Sequence, residues 1–153
     1  MEYAVIEREF QVNASPEVVF EVLSSPQHIR EWWGPETELG ATVGETGHLT
    51  WSNAEGEPAK VVAITVVDSR PPRLFAFRWT QPTGEAPRPD NSLLVTFELT
   101  PVGPGTLVRF TETGFREQGW SIAHAQERHQ DHTNGWNAFL PRLADYAAGL
   151  VAA

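Results

Sequence analysis

The C-terminal segment carries one apolar stripe at helical spacing, and this stripe constrains the fold more than any other feature. Its members, spaced i, i+4, i+7, i+11 and i+14, are Trp136, Leu140, Leu143, Ala147 and Leu150. The spacing predicts a long amphipathic helix over about residues 121–149. Such a helix needs a broad apolar surface to cover its stripe, and a curved antiparallel sheet with one apolar face supplies that surface.

Pro141 lies inside this predicted helix. Its ring lacks the N–H that would bond to a carbonyl in the preceding turn, so we expect the helix to kink near residues 137–140. Gly135 is a second weak point in the same helix. A kink there would also change the shape of any cavity beneath the helix.

The N-terminal part predicts one strand followed by two short helices. Residues 3–12 alternate in polarity, as a strand with one buried face does. Ser15 and Ser25 each precede a proline, which is typical of a helix N-cap followed by the first helical position. Gly34 and Pro35 end the second helix.

The central part of the chain alternates apolar and polar residues over several short segments. The apolar faces comprise Phe75, Phe77 and Trp79 in one segment, Leu93, Val95, Phe97 and Leu99 in the next, and Val108 and Phe110, with Glu112, in a third. Turn-forming residues separate the segments, which predicts hairpin connections. We therefore expect an α+β fold: a curved antiparallel sheet of about six to seven strands wrapped around a long C-terminal helix, with two short helices after the first strand.

The composition fits a single domain over residues 1–153 and narrows the range of partners. Eleven Lys and Arg against twenty Asp and Glu give a net charge of −9, which disfavours nucleic acid and anionic membranes. The absence of cysteine excludes thiol catalysis and thiolate metal sites. The N-terminus lacks the pattern of a signal peptide and no stretch is long enough to span a bilayer, so we expect a cytoplasmic protein.

Four motifs and the order of elements resemble a known family. The motifs are ASPEVVFEVLSSP at residues 14–26, WWGP at 32–35, PPRLFAFRW at 71–79 and HTNGW at 132–136. Together they resemble the START-like superfamily (SRPBCC, Bet v 1-like), and most closely its branch of homologues of the activator of the Hsp-90 ATPase. The resemblance implies a helix-grip fold with a cavity between sheet and last helix, which in many members holds lipids, steroids or polyketides. Pro141 departs from the family pattern, where a polar helix-former is more usual.

Nine aromatic residues are predicted to line such a cavity. They are Trp32, Trp33, Trp51, Phe77, Trp79, Phe97, Phe110, Trp136 and Phe139. For any one of them a place in a filled core is the commoner situation. Adjacent residues on a helix point about 100° apart, so we expect Trp33 to be the buried anchor and Trp32 to be the more peripheral of the pair.

Glu112 and His132 are the two weak candidates for catalysis. We nevertheless expect Glu112 to lie at an end of its strand that is exposed to solvent. A carboxylate that faces an apolar cavity can act as a general acid or base. His129 and His132 can share a helix face, but a good metal site needs a third ligand, so we expect a solvated polar face, no metal and no cofactor. His132 is preferred among the histidines because it precedes GW in the motif of the resembled family.

Three functional hypotheses follow. The favoured one is a non-enzymatic or weakly catalytic domain that binds an apolar or aromatic, lipid-like or polyketide-like small molecule in the cavity. The second is an enzyme of the same fold (a cyclase, dehydratase or hydrolase) that uses Glu112 with a histidine. The third is a chaperone-interaction module, which requires a filled interior and an exposed apolar patch. A chaperone partner is disfavoured, because the further N-terminal domain of the eukaryotic activator has no counterpart here; a homodimer stays open.

Overall fold

The fold is an open seven-stranded sheet closed over by one long helix. The computed structural model describes residues 4–40, 42–52 and 54–152. The strands are β1 (Val5–Val12), β2 (Glu36–Glu38), β3 (Thr46–Ser52), β4 (Pro58–Arg70), β5 (Leu74–Trp79), β6 (Leu93–Val102) and β7 (Gly105–Thr113), and the helices are α1 (Pro16–Ser24), α2 (Pro26–Trp32) and α3 (Ile122–Ala152). The predicted α+β class and the predicted order of elements are confirmed. Residue 3 of the predicted first strand lies outside the described residues.

The sheet is antiparallel throughout and runs in the order β1-β7-β6-β5-β4-β3-β2. Consecutive strands from β2 to β7 are neighbours, as hairpin connections require. β1 instead pairs with β7, so that the chain's first and last strands lie side by side. The registers place Phe75 opposite Phe97, and Phe97 opposite Phe110. The predicted aromatic faces therefore meet in one continuous layer, which Phe20 of α1 contacts at Phe75 and Trp136 of α3 contacts at Phe110.

α3 covers this layer with the predicted stripe, except at its end. Trp136, Leu140, Leu143 and Ala147 are buried, whereas Leu150 is 42% exposed. The expectation that Leu150 belongs to the buried stripe is therefore wrong. The helix continues through Pro141, whose ring is exposed to solvent. No helix within the described ranges is long and apolar enough to cross a membrane.

The two short helices begin in different ways. The Ser15 hydroxyl accepts a hydrogen bond from the Val18 N–H at 3.3 Å, so the predicted N-cap of α1 is confirmed. Ser25 precedes Pro26 at the start of α2 as predicted, but its side chain makes no capping hydrogen bond. Only its backbone carbonyl accepts, from the N–H groups of His28 and Ile29. The short helix α2 therefore depends on packing rather than on a side-chain cap.

Candidate functional site

The adjacent tryptophans at the end of α2 are both buried. Trp32 is 2% exposed and donates its indole N–H to the Val22 carbonyl of α1 at 3.1 Å. Trp33 is 4% exposed and stacks on Trp32, with ring centroids 5.5 Å apart and an interplanar angle of 12°. The prediction of a peripheral Trp32 is wrong, because α1 packs against α2 from that side. Trp32 is the anchor in the core, and Trp33 faces the sheet.

Trp33 lies at the centre of an aromatic cluster that joins the sheet to α3. Its ring centroid lies 5.2 Å from that of Trp79, 5.3 Å from Trp136, 6.0 Å from Trp51 and 6.1 Å from Phe77. These separations fall in the range in which aromatic rings attract one another beyond simple burial. Gly34 follows with φ of +110°, a conformation that favours glycine and lets the chain turn from α2 into β2.

A cavity of about 300 Å³ lies between this cluster and α3, and we call it the tryptophan cavity. Its aromatic walls are Trp33, Trp51, Trp79, Trp136 and Phe139, its polar lining is Lys60, Arg128, Asp131 and His132, and Gly135 completes the lining. Five of the nine aromatic residues predicted for the cavity therefore line it. The sequence reasoning missed Lys60, Arg128 and Asp131, although Arg128 and His132 are spaced i, i+4 on one helix face.

The other four aromatic residues predicted for the cavity belong to the core around it. Trp32, Phe77, Phe97 and Phe110 are all buried, and none of them lines the tryptophan cavity. Phe110, with no exposed surface, packs beneath Trp136 at a centroid separation of 4.6 Å. These side chains support the cavity wall from behind, because a closely packed layer holds Trp136 in place.

Glu112 is the most deeply buried ionisable group beside the cavity. It has no exposed surface, because its strand β7 is internal to the sheet and Glu112 lies between Ile6 of β1 and Val95 of β6. The expectation of a solvent-exposed strand end is therefore wrong. Two indole N–H groups donate to its carboxylate, from Trp79 at 2.7 Å and from Trp136 at 2.9 Å.

His132 supplies a third donor to this carboxylate. Its Nδ1 lies 2.8 Å from Oε1 of Glu112, and its Nε2 lies 3.3 Å from the Arg128 guanidinium. Arginine can only donate, so the contact at Nε2 places the ring proton on Nδ1, which donates to Glu112. Three donors and no acceptor surround the buried carboxylate, so both of its oxygens are paired. In this tautomer the lone pair of His132 Nε2 accepts from Arg128, and both side chains line the cavity.

The other histidines of α3, His129 and His124, contact residues outside the tryptophan cavity. The His129 Nε2 lies 2.9 Å from the Val5 carbonyl and joins α3 to the end of β1. His124 is exposed and its ring contacts Trp120. In the part of the chain that the structure describes, no three His, Asp or Glu side chains come together in a group that could hold a metal ion.

A second apolar recess lies on the other side of α3, where the helix meets the edge strand β1. It measures about 350 Å³ and is lined by Phe10, Leu140, Pro141 and Ala144, with polar residues at its rim. The Arg8 guanidinium crosses it by donating to Asn137 Oδ1 at 3.0 Å. We take the tryptophan cavity as the candidate site, because it combines an aromatic wall with convergent polar groups.

Comparison with known proteins identifies a family. The family model described as activator of Hsp90 ATPase homolog 1-like protein matches residues 13–148. No curated protein matches the chain.

Solved structures share the fold at low sequence identity. Protein MLL2253 from Mesorhizobium loti is similar with a TM-score of 0.71 and 24% identity, over 93% of this chain and 95% of that one. The Aha1 dimer from Colwellia psychrerythraea has a TM-score of 0.70 and 22% identity, over 94% and 96% of the two chains. Protein NE0264 from Nitrosomonas europaea has a TM-score of 0.76 and 11% identity, over 96% of each chain.

Proposed function

The chain belongs to the activator of Hsp90 ATPase homolog 1-like family, and from this premise we propose that it binds a small apolar or aromatic molecule in the tryptophan cavity. One observation carries the proposal: five aromatic side chains line a cavity of about 300 Å³ beside a buried, fully hydrogen-bonded carboxylate. That volume would hold about ten waters at liquid density. It lies at the lower end of the range of roughly 300–1,000 Å³ that is typical of ligand pockets.

Desolvation of the ligand between indole faces supplies the binding free energy. Transfer of apolar surface from water contributes about 25 cal/mol per Å², and offset or edge-to-face stacking adds about 0.5–1.5 kcal/mol per aromatic pair. The cluster around Trp33 is already packed on its far side by Trp32 and Phe77. The walls are therefore ordered before the ligand arrives, which lowers the entropic cost of binding.

The polar lining fixes the orientation of the ligand. Arg128 and Lys60 can donate to a ligand, and His132 Nε2, which accepts from Arg128 in this structure, becomes an acceptor for the ligand only when Arg128 turns away. A ligand with one polar end is therefore expected to place that end toward these three side chains and its apolar body against Trp33, Trp51 and Trp79.

Binding is tested first by native mass spectrometry of the freshly purified chain and then by titration with N-phenylnaphthylamine, a neutral dye that fluoresces in apolar sites. We expect Trp51→Ala to weaken dye binding about tenfold, because one wall of the cavity is lost. Trp120→Ala is the matched control: Trp120 is also half-buried but contacts His124 outside the cavity. Absence of both a co-purified molecule and Trp51-dependent dye binding would overturn the proposal.

A second candidate function is proton transfer to or from the bound molecule. The contact of 2.8 Å between Glu112 and His132 favours it, since a carboxylate that accepts from Nδ1 orients an imidazole as a general base. In this step His132 Nε2 takes a proton from an acidic C–H of the ligand, the electron pair passes into an enolate, and Glu112 stabilises the imidazolium. Arg128 must first leave Nε2, and its half-buried side chain keeps the Asp131 carboxylate, 3.8 Å away, as a second partner.

Proton transfer is tested with β-tetralone in deuterium oxide, by following deuterium uptake next to the carbonyl by NMR. We expect the protein to accelerate the uptake over buffer, and His132→Gln to abolish the acceleration while the dye still binds. A wild-type rate equal to that in buffer would count against catalysis and leave the binding proposal intact.

Partners other than a small molecule stay predictions. The relative from Colwellia psychrerythraea is described as a dimer, and we propose self-association of this chain on that likeness alone. Sedimentation of the purified protein tests it, with a single monomeric species as the contrary result. A chaperone partner has no further support from the contacts of the described residues.

A further inference from the structure

We propose that the ligand of the tryptophan cavity is an organic anion, an apolar molecule whose acid group is held by Lys60 at the cavity mouth. This inference rests on the proposed binding function and adds the charge class of the ligand. Lys60 is an exposed cation that the packing of the cavity walls does not require.

Lys60 is the single lysine of a chain with a net charge of −9. It lies near the start of β4, lines the tryptophan cavity, and holds its Nζ 5.7 Å from the centroid of the Trp51 ring. Among residues 4–40, 42–52 and 54–152, no carboxylate forms an ion pair with it. The ammonium is thus positioned by an aromatic wall of the cavity, and its hydrogen-bond donors are available to a ligand.

The other charges of the lining leave the mouth positive. The Arg128 guanidinium lies 3.8 Å from the Asp131 carboxylate, so these two charges largely offset each other. His132 is neutral in the tautomer that satisfies both of its ring contacts. The Glu112 carboxylate has no exposed surface. Two indole N–H groups and the imidazole of His132 donate hydrogen bonds to it, so its charge does not face the mouth. Lys60 is therefore the charge of the lining that no neighbour compensates.

A cationic ligand is the alternative, because aromatic walls also attract cations. In this cavity, however, Lys60 already lies over Trp51, so a second cation would meet its ammonium at close range, whereas the Asp131 carboxylate that could attract a cation is already paired with Arg128. Like charges at short distance repel each other. An anion gains instead from the uncompensated Lys60 ammonium, and its apolar body still contacts the indole faces.

The test compares two dyes that differ in one charged group: anilinonaphthalene sulfonate, and N-phenylnaphthylamine, which is the same molecule without the sulfonate. Both are titrated against the wild-type chain and against Lys60→Gln. We expect Lys60→Gln to weaken the sulfonate roughly threefold to tenfold, as the loss of one charge-assisted contact does. The affinity for the neutral dye should change by no more than about twofold, as is usual when an exposed residue is replaced.

Arg73→Gln is the matched control for net charge. Arg73 is exposed beyond the far end of β4, and the ten residue steps from Lys60 to Arg70 span about 33 Å of strand. This variant should leave both dyes unaffected. An equal effect of Lys60→Gln on both dyes, or tighter binding of the sulfonate, would overturn the inference. If neither dye binds the wild-type chain and no molecule co-purifies with it, the proposed binding function itself fails.

Discussion

Replacing Trp32 with alanine is expected to lower the free energy of unfolding by about 3–5 kcal/mol, the cost of deleting a large aromatic side chain from a packed core. Trp32 is among the largest fully buried side chains, and its indole N–H satisfies the Val22 carbonyl. The variant would leave a cavity in the core and would leave the buried Val22 carbonyl without its hydrogen-bond donor. Urea denaturation of both proteins, followed by circular dichroism, measures the difference. A typical domain has a free energy of unfolding of only about 5–15 kcal/mol, so the variant is expected to be only marginally stable.

Phenylalanine variants separate the two adjacent tryptophans, because they are milder and keep an aromatic ring. Trp32→Phe should destabilise the fold but leave the affinity for N-phenylnaphthylamine within about twofold, because Trp32 does not line the cavity. Trp33→Phe should weaken dye binding about fivefold, because Trp33 does line it. The opposite pattern, with dye binding sensitive to Trp32 and insensitive to Trp33, would contradict the assignment of anchor and wall.

Replacing Glu112 with glutamine is expected to lower the free energy of unfolding by about 1–3 kcal/mol, the cost of an unsatisfied buried polar group. The carboxylate accepts three hydrogen bonds, from Trp79, Trp136 and His132. Glutamine has only one acceptor oxygen, so its amide N–H₂ must face at least one indole N–H. Removing the buried charge recovers some desolvation free energy, but no neighbouring group can accept from the new donors unless His132 changes tautomer.

The measurement combines urea denaturation with nitrogen-15 NMR of the imidazole of His132. Glu112→Gln should both destabilise the fold and shift the imidazole signals, since the partner of Nδ1 has changed. Glu98→Gln is the control, because Glu98 is exposed on the neighbouring strand β6 and should change stability by no more than about 0.5 kcal/mol. Unchanged stability together with unchanged imidazole signals would mean that Glu112 and His132 do not interact.

The sequence predicted the elements well, because their signals are local. The spacing from Trp136 to Ala147 indicates a helix with one buried face, and the alternation in β5, β6 and β7 indicates strands. Leu150 has the correct spacing but is exposed, because periodicity says which face a residue occupies and not whether anything covers that face. The N-cap at Ser15 was predicted from adjacent residues for the same local reason.

The candidate site was only partly predictable, because its members meet through tertiary structure. Glu112 lies 33 residues from Trp79 and 20 residues from His132 along the chain. No spacing rule connects them, and the register of β7 between β1 and β6 decides that Glu112 faces inward without exposure. Lys60 gave one weak signal, as a single lysine in an acidic chain, but its place at the cavity mouth follows from the pairing of β3 with β4.

The sequence by itself determined the α+β class, the order of strands and helices, and the apolar face of the last helix, because these depend on interactions between residues close in the chain. Only the tertiary structure decided which aromatic side chains fill the core and which leave space. That choice depends on how α1 covers α2, which makes Trp32 an anchor, and on how the sheet and α3 close around Trp33. Packing between distant segments therefore decides where the cavity lies and which charges reach it.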